Sequence, residues 1–155
     1  MTRRKLAIAS DHAGVELKEE IKKILPELGY SFDDFGVDGF ESVDYPDYAK
    51  AVAEKVSNGE YEKGILLCGS GVGMAIVANK FPHVRAVQAN DIYTATMSRK
   101  HNDTNILALA GRVTGKELSK EIVKAWLETP FEGGRHERRL KKIKEIEKGI
   151  RQKDS

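Results

Sequence analysis

The stretch Gly64-Ile65-Leu66-Leu67-Cys68-Gly69-Ser70-Gly71-Val72-Gly73 carries two signals in ten residues. Its first half is apolar without alternation, as in a strand buried on both faces. Its second half places glycine at 69, 71 and 73. Glycine lets backbone N–H groups come close to a bound anion, and a helix starting just beyond adds positive potential. Such a turn suits a phosphate or a developing oxyanion. It also fits a tight strand-to-helix turn with no ligand, and the glycines alone leave both readings open. It is not a P-loop, because no Lys-Ser/Thr pair follows, and Met74 stands where a dinucleotide fingerprint needs its third glycine.

Reading outward from that stretch gives the architecture. Leu6-Ala7-Ile8-Ala9 is a short buried strand that stops at Ser10-Asp11-His12. Leu17, Ile21, Ile24, Leu25 and Leu28 follow helical spacing, closed by Gly29. Residues 30–35 make a weaker second strand, and Gly36, Gly39 and Pro46 mark a loop. Asp44 is placed as the cap of a helix carrying Tyr48, Val52, Ala53 and Val56. After the glycine turn come a helix over about 73–80, a strand over 85–89 and a helix over 92–99. A strand over 106–110 follows, then a helix with Leu118, Ile122, Val123 and Trp126. A last helix carries Leu140, Ile143, Ile146 and Ile150. Strand and helix alternate five times, with one helix added at the C-terminus. The expected fold is α/β: a doubly wound, five-stranded parallel sheet in a three-layer Rossmann-like sandwich, one domain over residues 1–155.

In such a sheet, ligands bind beyond the C-terminal strand ends. That rule selects Asp11-His12, Cys68-Gly69-Ser70 and the region of Asn90-Asp91. A lone cysteine on a buried strand can be an inert small hydrophobe. A helix N-terminus also favours the thiolate form, which can act as nucleophile or base. His12 and His101 stand beside polar residues at element ends, either as surface histidines or, with Asp11, as an acid–base set. Arg135 and Arg139 are four apart and share a helix face if the last helix has begun by then. That face is either solvated or a forked phosphate clamp.

Composition narrows the classes. The formal net charge of +2 gives no broad basic field, and no nucleic-acid partner is expected. Glu137, Glu145 and Glu147 dilute the basic tail. One cysteine excludes an intrachain disulfide and argues for a reducing, cytoplasmic setting. No apolar run reaches membrane-span length, and Leu6 to Ala9 is too short for a signal-peptide core. No metal-ligand spacing is evident, and no metal or cofactor is expected.

Taken together, several segments resemble the type B ribose-5-phosphate isomerase family. They are Ser10-Asp11-His12-Ala13-Gly14, Asp44-Tyr45-Pro46, Cys68-Gly69-Ser70-Gly71-Val72-Gly73 and Ala78-Asn79-Lys80. Arg99 with His101-Asn102-Asp103-Thr104-Asn105, and Gly133-Gly134-Arg135-His136, complete the set. The resemblance runs over nearly the whole chain in the same order. The family also holds allose-6-phosphate isomerase and the subunits of galactose-6-phosphate isomerase.

The resemblance implies an aldose–ketose isomerase that converts ribose 5-phosphate to ribulose 5-phosphate through an enediolate, without metal. It implies Cys68 as the base between C1 and C2, with Ser70 assisting. It implies the backbone of Gly69, Gly71, Val72 and Gly73 as the hole for the enediolate oxygen. Asp11 and His101 would serve ring opening and proton donation, and Asn102 would bind sugar oxygens. His12, Arg112, Arg135 and Arg139 would hold the phosphate or line its site, and the role of His136 stays open. Part of the family lacks the cysteine and carries a glutamate at the position of Met74, so this chain falls on the cysteine branch. The resemblance also implies a dimer, able to pair into tetramers, whose sites draw on both subunits. Within the class, the alternative is a six-carbon substrate such as allose 6-phosphate. Outside it, the alternative is a non-catalytic phosphate- or nucleotide-binding module.

Overall fold

A computed structural model describes residues 4–153. The strands are β1 (Lys5–Ser10), β2 (Ser31–Asp34), β3 (Lys63–Cys68), β4 (Ala86–Gln88) and β5 (Ile106–Ala110). The helices are α1 (Val15–Ile24), α2 (Tyr45–Ser57), α3 (Val72–Ala78), α4 (Ile92–Asn102), α5 (Lys116–Glu128) and α6 (Arg135–Lys153). All strand pairs are parallel, in the order β2-β1-β3-β5-β4. No helix among the described residues is long and apolar enough to cross a membrane.

The strand order dictates which face each helix covers. Crossovers between parallel strands are right-handed. The chain moves one way along the sheet from β1 to β2 and from β4 to β5, and the other way from β2 to β3 and from β3 to β4. Thus α1 and α4 share one face, and α2 and α3 share the other. Packing agrees: α2 lies on α3, while α5 touches both α1 and α4. The expected doubly wound, three-layer sandwich is the observed one. Either side of β3, neighbouring chains leave the sheet toward opposite faces, which opens a crevice at its C-terminal end.

The strands hide a second pattern, an alternation of size rather than polarity. Leu6, Ile8, Ile65, Leu67, Leu107 and Leu109 point toward α1 and α5. Ala7, Ala9, Leu66, Cys68, Ile106 and Ala108 point toward α2 and α3. Small residues on the second face let its helices approach closely. A Cβ on Gly64 would lie 2.5 Å from Cγ1 of Val52 on α2. At the far end of the sheet, buried Trp126 donates its indole N–H to Thr104 Oγ1 at 2.9 Å. The Lys63 ammonium sits 5.6 Å from the Trp126 ring centre.

Several boundaries differ from the sequence expectation. The first helix stops at Ile24 rather than Leu28, because Pro26 lacks an N–H and crowds the preceding turn. Pro26–Leu28 tightens into a 3₁₀ turn, and Gly29 closes it at φ 87°. α4 runs on past Arg99 to Asn102 and ends where Asp103 turns left-handed at φ 45°. Asp44 does occupy the N-cap position of α2, but its side chain makes no capping hydrogen bond.

Candidate active site

β3 delivers Cys68 to the crevice, with the residue 6% exposed. The chain then turns through Gly71, whose φ of 79° is a left-handed value that favours glycine. That turn aims the Gly71 N–H at Cys68 Sγ, 3.1 Å away, and fixes the sulfur. Ser70 Oγ accepts from the Val72 N–H at 3.2 Å. The next donors of the first turn of α3, on Gly73 and Met74, have no partner within the helix by its geometry. Ring atoms of Tyr45 would lie 2.5 Å from a Cβ on Gly73, so only glycine lets the tyrosine seat against the helix start.

The flanking loops are pressed onto this turn. Gly111 N–H donates to Cys68 O at 2.7 Å and Arg112 N–H to Gly69 O at 3.0 Å. The Arg112 side chain lies over the turn, its Cδ 3.5 Å from where a Gly69 Cβ would stand. On the other side, Asp11 N–H donates to Leu67 O at 3.1 Å. The Asp11 carboxylate is 7% exposed and accepts from Ala13 N–H at 2.9 Å. Gly14 meets β3 so closely that a Cβ there would lie 2.7 Å from Leu67 O.

His12 accepts at Nδ1 from the Val43 N–H, 3.1 Å away, which leaves Nε2 as the N–H of a neutral ring. The segment between β2 and α2 that brings Val43 to His12 is anchored below by a lysine. Lys18 is fully buried and donates to Asp34 Oδ1 and to Val37 O, both at 2.8 Å. Lys22 adds a second ion pair to Asp34 at 2.8 Å. Burial pushes the Asp34 carboxyl up. Hydrogen bonds from Lys18, Lys22 and the Gly36 N–H outweigh it and hold the group below the usual carboxylate range.

The remaining candidates lie at the other end of the sheet. α4 starts beside the strand ends, runs back antiparallel to the strands, and carries His101 and Asn102 in its last turn. Asn105, three residues beyond Asn102, accepts from Gly64 N–H near the start of β3 at 2.9 Å. From Gly64 to Cys68 the strand rises about 13 Å. A proton-transfer group must come within about 3 Å of its target. His101 therefore does not reach a molecule held at Cys68 of the same chain. The Glu132 N–H bonds Lys100 O at 3.1 Å, so α6 begins at this same corner. Arg135 and Arg139 stand on its first turns, as their spacing requires.

At that corner the His136 ring stacks on His101, with centroids 4.2 Å apart and planes 17° from parallel. His136 is 3% exposed, and its Nε2 has no hydrogen-bond partner. Burial, together with the charges of His101, Arg135 and Arg139, holds its pKa below the ordinary histidine value.

Of the expected site residues, then, Asp11, His12, Cys68, Ser70, Gly69, Gly71, Val72, Gly73 and Arg112 gather at the strand ends. His101, Asn102, Arg135 and Arg139 gather at the α4–α6 corner. The helix length was the available signal: eleven helical residues from Ile92 to Asn102 carry the chain about 16 Å away from the rim. Tyr45 and Lys18 escaped the sequence reading. Asp44-Tyr45-Pro46 is part of the family resemblance but carries no role beyond a helix start, and Lys18 looks like one more exposed lysine of α1.

Residues 6–143 match the Ribose/Galactose Isomerase family. The chain is 50% identical over 144 residues to ribose-5-phosphate isomerase B of Escherichia coli, covering 93% of this chain and 97% of that one. It is 43% identical over 139 residues to D-erythrulose-4-phosphate isomerase of Pectobacterium atrosepticum, covering 89% and 91%. The structure of Clostridium thermocellum ribose-5-phosphate isomerase B superposes with a TM-score of 0.91 at 52% identity, covering 94% of this chain and 99% of that one.

Proposed function

The chain belongs to the ribose/galactose isomerase family, and on that premise we propose how its two residue clusters perform an aldose–ketose isomerisation. The enzyme is a sugar-phosphate isomerase that interconverts ribose 5-phosphate and ribulose 5-phosphate. The observation that carries this reading is Cys68, fixed by Gly71 at the head of the glycine turn, between the loops of Asp11 and Arg112.

Starting from the aldose, the open-chain substrate presents its C2 proton to Cys68 Sγ. The sulfur takes that proton, the C–H electron pair forms the C1–C2 double bond, and O1 takes the negative charge. The resulting enediolate is held by the N–H groups of the turn, where preorganised donors act most strongly. The Cys68 thiol returns the proton to C1 while the O2 proton is lost and O1 gains one. Asp11 and His101 handle these oxygen protons and the opening of the sugar ring, Ser70 assists at the reacting carbons, and Asn102 binds the sugar hydroxyls. The phosphate does not react. Arg135 and Arg139, with His12 and Arg112, anchor it and so hold the carbons in place.

Because one chain keeps the two clusters at opposite ends, the complete site forms between two copies. The α4–α6 corner of one covers the rim of the other, in a dimer able to pair into tetramers. Apolar side chains left in solvent support this. Val72 and Ile76 on α3, and Ile143, Ile146 and Ile150 on α6, are all between 45% and 64% exposed.

The test is isomerase turnover with a chelator present, comparing kcat/KM on ribose 5-phosphate, allose 6-phosphate and erythrulose 4-phosphate. Ribose 5-phosphate is expected to be the best substrate. Activity on one of the others with none on ribose 5-phosphate would overturn the substrate and keep the chemistry. No activity on any, with sugar phosphate still bound, would favour the non-catalytic module.

A further inference from the structure

The α4–α6 corner brings together two imidazoles and a carboxylate. One potential ligand atom from each of His101, Glu132 and His136 lies within 4.8 Å of the other two. His136 Nε2 is 3.8 Å from Glu132 Oε1. This nitrogen is the second sign of a ligand, since a buried polar atom without a partner carries a desolvation cost that native folds seldom leave uncompensated. We propose that His101, Glu132 and His136 form a site for a zinc-class divalent transition-metal ion, and that filling it withdraws His101 from the isomerase reaction.

The donor set decides the ion. Two imidazole nitrogens and one carboxylate oxygen are a known zinc combination, with the fourth position open to water. Magnesium and calcium take oxygen donors, so two nitrogens disfavour them. Bonds of roughly 2.0–2.1 Å put neighbouring ligands of a tetrahedral ion about 3.3 Å apart, so the three atoms must close up, and the half-buried His101 ring must turn out of its stack on His136, because parallel rings do not aim their nitrogens at one ion. Glu132 is 54% exposed on its side chain and free to swing, while His136 is held in place by burial. The Glu132 N–H bond to Lys100 O keeps its backbone beside His101. Metal binding also needs unprotonated imidazole, so an ion here competes with protons for both rings. Arg135 and Arg139 oppose any cation here, and the Glu132 charge compensates in part.

The inhibitory half rests on the proposed role of His101, because a nitrogen bound to metal no longer exchanges a proton with the substrate. The binding half does not, and the two are measured separately. Cobalt(II), as a zinc surrogate, is titrated into the full-length protein. The expected result is one ion per chain with the intense visible d–d bands of a four-coordinate site. Zinc should displace it and magnesium should not. Glu132→Gln and His136→Ala should each weaken binding by at least the 10–100-fold that loss of an outer-shell partner costs. Cys68→Ser should bind as wild type does, with no sulfur-to-cobalt charge-transfer band lost. Zinc should suppress turnover and chelator restore it. Glu132→Gln should keep its turnover without metal and need correspondingly more zinc for inhibition. Weak six-coordinate cobalt bands, or affinity unchanged by both substitutions, would overturn the site. Tight binding with full turnover would leave the site standing and overturn both the inhibition and the role of His101.

Discussion

The crevice at the strand ends and the corner between α4 and α6 are made of different material. At the crevice, backbone meets backbone: Gly14, Gly71 and Gly111 let three loops touch, and Cys68 sits against the helix-packing core. At the corner, long charged and imidazole side chains project from helix ends, and most of the α6 surface faces solvent. The difference matches the task proposed for each. Abstracting a weakly acidic proton needs a base fixed to a fraction of an ångström, which close backbone packing supplies. Holding a phosphate needs charge and reach, which helix-borne arginines would supply even from another subunit of the proposed dimer.

The sharpest break of this comparison is at Cys68. Cys68→Ala is expected to lower kcat by on the order of 10²–10⁴-fold with the fold intact. Mixing inactive Cys68→Ala with inactive His101→Ala and exchanging subunits should restore roughly a quarter of wild-type activity, since half the two-fold dimers are mixed and each holds one intact site. No recovery after demonstrated exchange would mean that each chain completes its own site.

Next in size is the corner. Arg135→Ala should raise KM by about 10–100-fold with a smaller loss of kcat, the cost of roughly 1.5–3 kcal/mol for a charge-assisted bond. A loss confined to kcat would instead place Arg135 at the reacting carbons. Gly14→Ala forces a methyl against Leu67 and should cost about 1–3 kcal/mol in urea unfolding, whereas Gly149→Ala, in open space within α6, should gain about 0.5–1 kcal/mol.

An effect of similar size is expected at Lys18. Lys18→Met removes its bonds to Asp34 and Val37 O but leaves Lys22 on Asp34, for a loss of about 1–3 kcal/mol. Its pH signature has a definite sign. Asp34 is held below the usual carboxylate range in the folded state. Its contribution is therefore present above the unfolded value of about 3.9 and is lost as pH falls through the folded one. Removing Lys18 moves Asp34 back up, so acid unfolding should begin at a higher pH. An unchanged acid transition would break the link between this lysine and the loop over His12.

The strands were legible because β3 and β5 are unbroken apolar runs, and the position of the crevice was legible because glycines and a cysteine fall at the end of one of them. The end of α4 was not. Lys100, His101 and Asn102 carry no apolar signal, and only the left-handed Asp103 stops the helix. Lys18 lies between Leu17 and Ile21 with the look of a solvated residue, and its burial depends on Asp34, which pairs across from β1 far along the chain. Tyr45 was hidden for the same reason: its partner is a missing side chain, that of Gly73.

Trp126 is the only tryptophan in the sequence, fully buried at the end of the sheet where the strands begin. Its indole is tied to Thr104, two residues past the end of α4, and has Lys63 over its ring. Its fluorescence is thus a spatially selective optical probe. Emission will follow melting of the core and any rearrangement near the α4 terminus, including one that sugar phosphate brings about at His101 and Asn102.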